Sequence, residues 1–309
     1  MKSISKRFLT IFVVLLFCLM ALGSGDSKKE ETVDTNTNSN EETIDLDEST
    51  TDTSKQSDNL IPTIEETVLF EYNGIKVTAK EITEDWLGPE LKVLIENDTD
   101  ENINVSLDEI AVNDYMVSAW LYEDVAAGKK SNATFEIWSS TLSNAGISNI
   151  GKIDFYFRVI NSDNYNTIYE SKEIELKTSL YDEMDSEAND VGTELLNQNG
   201  IRIVGKGVND SLWGQGVLLY IENNSDKNII VSTDNLSVNG YMVNGYLYST
   251  IMSNKKAIET VILSSTDLED NDIESIEDLA LSFDIINADT WMNIFSSDEI
   301  TVNIDTSIE

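Results

Sequence analysis

Six side chains have the strongest capacity for contact chemistry: Met116, Trp120 and Tyr122, and 126 positions further on Met242, Tyr246 and Tyr248. Flat aromatic faces and polarizable thioethers suit a glycan ring or a peptide. They lie in two related stretches, VSLDEIAVNDYMVSAWLY at 105–122 and VSTDNLSVNGYMVNGYLY at 231–248. Each reads as a β-hairpin turning at Asn113-Asp114 or Asn239-Gly240, residues that accept positive φ in a two-residue turn. That turn sets Val112 opposite Tyr115, Ile110 opposite Val117 and Asp108 opposite Ala119 on one side. Ala111–Met116, Leu107–Trp120 and Val105–Tyr122 fall on the other, as do Ser237–Met242, Thr233–Tyr246 and Val231–Tyr248 in the second stretch. If the Ile110/Val117 side faces a core, the six residues form exposed strips that could take a ligand. The alternative is that both sides are buried, one by a partner sheet and one by a crossing segment.

Reactive side-chain machinery is sparse. The chain has no histidine and one cysteine, Cys18. This removes Ser-His-Asp and Cys-His nucleophile systems, His- or thiolate-based metal sites and intrachain disulfides. Acid clusters at Asp98/Asp100/Glu101, Asp108/Glu109 and Asp267/Glu269/Asp270/Asp272 supply hard oxygens of the kind Ca²⁺ takes, but DLEDND lacks the glycine and distal glutamate of an EF-hand loop and reads better as a solvated loop. No catalytic, metal or cofactor residue is therefore expected. Acids outnumber bases 57 to 20, a formal charge of -37. Such a surface repels phosphates, which argues against nucleic acid or anionic lipid as a partner and favours cationic partners or divalent ions. Lys129-Lys130 and Lys255-Lys256 stand out against it and read as charged turns guarding a sheet edge.

Residues 1–23 read as an export signal. Lys2, Lys6 and Arg7 form a basic start, Phe8–Leu22 an apolar run too short to span a bilayer, and Gly23/Ser24 a cleavage point. The alternative is an uncleaved anchor, the one membrane association expected. The leader also resembles that of Gram-positive lipoproteins, with Ser24 where the lipid-accepting cysteine would stand. Residues 24–64 are a polar, aromatic-free tract that cannot bury enough surface to order itself, so a disordered acidic linker is expected, either a stalk or a solubilising tail.

From 65 onward, short runs rich in Val, Ile, Phe, Tyr and Trp alternate with turn signals. Strands are expected at 67–71, 75–82, 91–97, 102–112, 115–122, 132–138, 152–160 and 167–176. A short helical turn is expected within Thr141–Ile150, with stronger helix character in its counterpart Asp267–Ile276. Shifting residues 73–176 by 126 onto 199–302 gives 36 identities in 104 positions. Residues 65–178 and 194–305 each carry a net charge of -13. The organisation expected is thus two tandem modules, 65–178 and 194–305, joined by an acidic connector at 179–193. Seven or eight short strands per module fit a β-sandwich.

The shared residues include Asn73-Gly74 with Asn199-Gly200, Ile95-Glu96-Asn97 with Ile221-Glu222-Asn223, and Phe157, Ile160, Asn161 and Asp163 with Phe283, Ile286, Asn287 and Asp289. The pattern I-E-N-x-[ST]-D-x-N-I, then V-N-[GD]-Y-M-V, then F-x-[VI]-I-N-x-D resembles an extracytoplasmic β-sandwich domain of unknown function common in Firmicutes. The resemblance implies two tandem immunoglobulin-like antiparallel β-sandwiches, an all-β fold, in a secreted or membrane-tethered setting. It implies no activity and carries over no functional residue.

The expectation is an exported envelope protein of a Gram-positive bacterium whose two non-catalytic modules act as binding or spacer domains for an extracellular or cell-wall ligand. Two alternatives belong to other classes. One is a carboxylate-dependent hydrolase with an acid pair between the modules. The other is a subunit of a surface assembly joined through exposed strand edges.

Overall fold

Strand-forming runs and glycine- or asparagine-bearing turns alternate along almost all of the described chain, and β-structure follows. The computed structural model describes residues 61–184, 187–211 and 214–303. The leader, the Gly23/Ser24 cleavage point and nearly all of the 24–64 tract lie outside them. Among the described residues no helix is long and apolar enough to cross a membrane.

The first repeat runs β1 (Thr67–Tyr72), β2 (Ile75–Glu84), β3 (Pro89–Asn97), β4 (Ile103–Val112), β5 (Tyr115–Met116), β6 (Ala119–Trp120), β7 (Tyr122–Val125), β8 (Lys129–Ile137), α1 (Ser139–Ala145), β9 (Lys152–Asn161), β10 (Thr167–Glu170) and β11 (Ile174–Lys177). The second runs in the same order: β12 (Thr193–Gln198), β13 (Ile201–Ser211), β14 (Gly214–Asn223), β15 (Ile229–Val238), β16 (Tyr241–Met242), β17 (Gly245–Tyr246), β18 (Tyr248–Ile251), β19 (Lys255–Leu263), α2 (Ser265–Asp270), β20 (Asp278–Asn287), β21 (Asn293–Ser296) and β22 (Ile300–Asn303). The fold is predominantly β, and its strands pair antiparallel with one exception described below.

In the first repeat β1-β2-β3-β8-β6 form one sheet, while β4, β5, β7, β9, β10 and β11 pair in another. Side chains of both meet in one core that includes Val77, Leu91, Ile95, Ile103, Phe135, Phe155 and Phe157. Phe135, Phe155 and Phe157 pack edge to face, with ring centroids 5.4 to 6.4 Å apart. The second repeat builds an equivalent core from Ile203, Leu219, Ile221, Ile229, Val231, Leu281, Phe283 and Ile285.

The turns are held by asparagine amides, and this explains the shared motifs. Asn97 is fully buried; its Nδ2 donates to the carbonyls of Glu101, Val125 and Ala126, and its Oδ1 accepts from the Thr99 amide. Asn223 does the same with Lys227, Ile251, Met252 and Ser225. Asn113 at the hairpin turn accepts from the amides of Gly151 and Lys152 and donates to the Asn149 carbonyl. Asn239 accepts from Glu277 and Asp278 and donates to Ser275. With two prolines and no disulfide-forming pair, these amides fix loops that other proteins fix covalently.

Several local expectations are corrected. The hairpin turns are as read: Asn113 and Asp114 both have positive φ, and Val112 pairs Tyr115 and Ala111 pairs Met116. The returning strand does not run unbroken from 115 to 122. After Met116 the chain leaves β4, and β6 pairs with β8 in the other sheet, Trp120 opposite Glu136. It then comes back as β7, where Ser106 rather than Val105 lies opposite Tyr122. The second repeat repeats this, with Ser232 rather than Val231 opposite Tyr248 and Tyr246 opposite Ile262 rather than Thr233. Hence Leu107–Trp120, Asp108–Ala119 and Thr233–Tyr246 are not pairs. The cause is a bulge: the β4–β9 register slips between Leu107 and Ile110, and β15–β20 slips between Asp234 and Ser237. The 167–176 run likewise divides into β10 and β11. The two helices are near equals, seven residues in α1 and six in α2: Gly146 ends α1 in the left-handed conformation, and the Ser264 side chain caps the start of α2. Within the connector, Leu180 is buried, which its composition did not announce.

Replacing Asn97 or Asn223 with Ala removes three bonds from the side-chain amide to backbone carbonyls, buried at Val125 and at Ile251. Each variant should lose on the order of 3 kcal/mol of unfolding free energy in urea titration, whereas exposed Asn132→Ala should change it little.

Candidate functional site

Two regions bring chemistry-bearing side chains together: an aromatic strip repeated in each half, and the boundary between the repeats.

The strips lie where the chain swaps sheets. Trp120 on β6 and Tyr122 on β7 stack at 6.2 Å between centroids and 21°, and each is about half exposed (47% and 49%). The crossing, not a straight hairpin, puts the two rings on the surface side by side. Tyr165, in the turn after β9, lies close enough to perturb Tyr122 electrostatically. In the second repeat Tyr248 on β18 stacks on Trp291, in the turn after β20, at 6.5 Å and 22°. Tyr246 on β17 lies beside them and is 61% exposed. The Tyr122 phenol is pushed above its usual range by burial, with Asp124 and Tyr165 adding; burial does the same at Tyr246 and Tyr248. These phenols stay protonated at neutral pH and can donate hydrogen bonds beside a flat apolar face.

Tyr165 and Trp291 occupy equivalent positions, each with φ of 60°. A left-handed backbone costs a bulky residue about 1–2 kcal/mol, tolerated where the surroundings fix it. Neither residue was singled out from the sequence, although aromatics recurring at one offset inside turns were the available signal. Of the six that were, Trp120, Tyr122, Tyr246 and Tyr248 join the strips. Met116 does not: it is half-buried and packs against the second core. Its counterpart Met242 is exposed at the hairpin tip, away from the strip pairings.

The second region is the boundary. There β5 pairs with β19 in parallel, Tyr115 opposite Lys256, and the Lys256 amide donates to the Asp114 carbonyl at 2.8 Å. This bridge merges one sheet of each repeat into an 11-stranded sheet. Tyr115, Ala145, Val204 and Tyr220 form a small apolar cluster across it, with Ile147 and Ile258 against it. The Asn189 amide of the connector donates to the Tyr115 hydroxyl at 2.8 Å.

At its centre is Lys255, whose side chain is 7% exposed. Its Nζ lies 2.9 Å from Asp114, 2.5 Å from Asp154 and 3.2 Å from Glu173, all in the first repeat. Lys152 reaches Asp114 at 2.7 Å and Asp154 at 3.2 Å. Burial alone would pull the Lys255 ammonium down, but the hydrogen bonds it donates to Asp154 and Asp114 outweigh it and hold it above the usual lysine range. Burial would raise Asp114; its bonds to Lys152 and Lys255 win and hold its carboxyl below the usual range. Lys255 is thus not an exposed turn residue guarding an edge, as its sequence context implied, but a buried cation joining two halves. Asp108 is likewise engaged, by Arg158 at 2.5 Å, and Asp267 accepts the Asn244 amide at 2.6 Å. Among the described residues no group of acids is arranged to hold a metal ion.

No protein-family model matches the sequence, and no curated protein matches it either. Among solved structures, the crystal structure of the YadV chaperone is similar at 13% identity, covering 70% of this chain and 92% of that one, with a TM-score of 0.23.

Removing one partner of a buried charge pair leaves the other uncompensated. Lys255→Ala should cost about 3 kcal/mol, the low end for such a loss because Lys152 stays with both acids. For Asp114 the folded-state pKa is depressed, so its contribution is present above the ordinary value of 3.8 and is lost as pH falls through the folded value. The stability gap between the native chain and Asp114→Asn, from urea titrations, should be constant near neutrality and close below about pH 4. The Tyr220 hydroxyl is buried without a hydrogen-bond partner, so Tyr220→Phe should raise stability by about 1 kcal/mol.

Proposed function

We propose that this chain is an exported envelope protein of a Gram-positive, Firmicutes-type bacterium, in which two immunoglobulin-like β-sandwich modules at 65–178 and 194–305 hold aromatic strips toward an extracellular glycan or peptide. The observation that carries this reading is the recurrence of three aromatic rings at equivalent positions: Trp120, Tyr122 and Tyr165, all exposed and the first two stacked, and Tyr246, Tyr248 and Trp291, of which Tyr246 is exposed and the half-buried Tyr248 and Trp291 stack. Exposed rings cost solubility and, at Tyr165 and Trp291, the backbone is strained; the recurrence of the aromatic cluster in both repeats supports a ligand. Protonated phenols beside the rings suit sugar hydroxyls. The strongly acidic surface favours neutral or cationic ligands over phosphate- or sulfate-bearing polymers. The basic and apolar residues of 1–23 and the polar tract of 24–64 fit export and a stalk.

The hydrolase reading is weaker. The acids at the boundary, Asp114 and Asp154, are neutralised by Lys152 and Lys255 rather than facing each other across open solvent. A surface depression of about 120 Å³ lined by Ile61, Pro62, Ile82 and Leu142 is small beside the usual ligand cleft.

The test is a binding isotherm of the purified chain against isolated cell-wall glycan and peptide fractions. Trp120→Ala with Tyr122→Ala should weaken binding by about tenfold, on the scale of one or two lost ring contacts, with the unfolding midpoint little changed. Binding as tight as the unaltered chain's, both in that double variant and in Tyr248→Ala with Trp291→Ala, would refute the strips as the contact surface.

A further inference from the structure

The boundary between the repeats uses one half of a surface from each, and each repeat keeps the other half uncovered. The first repeat contributes its hairpin tip, Asp114–Met116, and the second contributes the outer edge of β19 at Lys255–Lys256. By the 126-residue shift, the second repeat has its own tip, Gly240–Met242, and the first has its own edge, β8 at Lys129–Lys130. What is covered at the boundary is open at these counterparts. Tyr115 is 2% exposed but Tyr241 is 51%, and Lys255 is buried whereas Lys129 and Lys130 are exposed. β16 ends its sheet; β3 pairs one edge of β8, with Glu96 opposite Lys130, and on the other edge β6 reaches only Glu136 and Ile137, so that edge has no paired strand at Lys130 among the described residues.

We propose that the occupant of both open surfaces is a second molecule of this chain. The tip of one molecule's second repeat docks on the β8 edge of the next molecule's first repeat, repeating the internal boundary between chains. The backbone part needs no particular side chain: the Gly240 carbonyl takes the place of Asp114's in accepting from the amide of Lys130. Tyr241 beneath Lys130 reproduces the placement of Lys256, whose Nζ sits 5.4 Å from the Tyr115 ring centroid. The charges are rearranged but compensated. Around Lys255 stand Asp114, Asp154, Glu173 and Lys152. The equivalent positions in the second repeat hold Gly240, Ala280, Glu299 and Asp278, and the sum of the four is -2 in both. Two acids vanish, and an acid stands where the lysine was. The arriving Lys129 therefore meets the same net charge, now carried by Asp278 and Glu299.

The apolar part is poorer. Val204, Tyr220 and Ile258 correspond to Thr78, Leu94 and Asn132 on the receiving edge. The contact between molecules is accordingly weaker than the internal one, and it is heterologous, so it extends into an open head-to-tail chain rather than closing into a dimer. β1 runs toward the turn at Asn73, so the chain enters the first repeat at the end opposite Lys129.

Sedimentation velocity of the full chain up to about 1 mM tests this. The weight-average mass should climb with concentration beyond that of a dimer and fall when salt is raised. Tyr241→Ala and Lys129→Glu should each weaken association about tenfold. Combining Lys129→Glu with Asp278→Lys in one chain should restore it. A chain that stays monomeric throughout, stops at a dimer, or associates equally well in Tyr241→Ala and Lys129→Glu overturns the proposal. Glycan or peptide binding by the strips is measured separately and is indifferent to that outcome.

Discussion

Burying a backbone turn requires a partner for every carbonyl and amide in it, and in this chain the primary amide of asparagine supplies those partners. A carboxamide carries two donors and an acceptor in one plane, so a single buried Asn97 or Asn223 can close three loop segments at once. Asn113 and Asn239 tie the hairpin tip to the start of the following long strand in the same way. The sheets, the two cores and the placement of the surface aromatics all rest on these ties, because each fixes where a strand begins. An aspartate would lack the donors, and a serine would reach only one of the three segments.

The two halves then become one body through a device that only one of them carries. Lys255 has acids on the first repeat to meet, and the apolar cluster of Tyr115, Ala145, Val204 and Tyr220 shields the contact from water. Desolvating a lysine is costly, and the carboxylates of Asp114 and Asp154 offset that cost against the repulsion of the nearby Lys152. Duplication alone would have given two identical surfaces. Divergence at positions 114, 152, 154, 204 and 220 turned one pairing into a tight internal joint and left its mirror partners open.

Much of the architecture was legible in the residues. The repeat, the β-rich character and the positive-φ turns at Asn113-Asp114 and Asn239-Gly240 all follow from period-two patterning and turn chemistry. The sheet swap between Met116 and Tyr122 was not legible, because MVSAWLY is apolar at almost every position and both faces of a straight strand would look alike. Only the bulge at Asp108–Glu109 and the pairing of β6 with β8 redirect the side chains, and neither has a local signature. Tyr165 and Trp291 were hidden for the opposite reason: large rings in turns contradict propensity, so tertiary packing had to be seen. Lys255 looked like one more surface lysine because its partners are distant in sequence, more than 80 residues away in each case. The sites where the two repeats disagree were the informative ones.

The parallel bridge and buried ammonium make the spacing between the two aromatic platforms a fixed length rather than a tethered range. A ruler differs from a leash in what it selects. If the strips bind the proposed glycan or peptide, a short fragment would fit one and gain nothing from the other, while a polymer long enough to span both would feel a local concentration set by the sheet itself. Discrimination by ligand length would then come from the joint, with neither platform needing to recognise where a polymer ends.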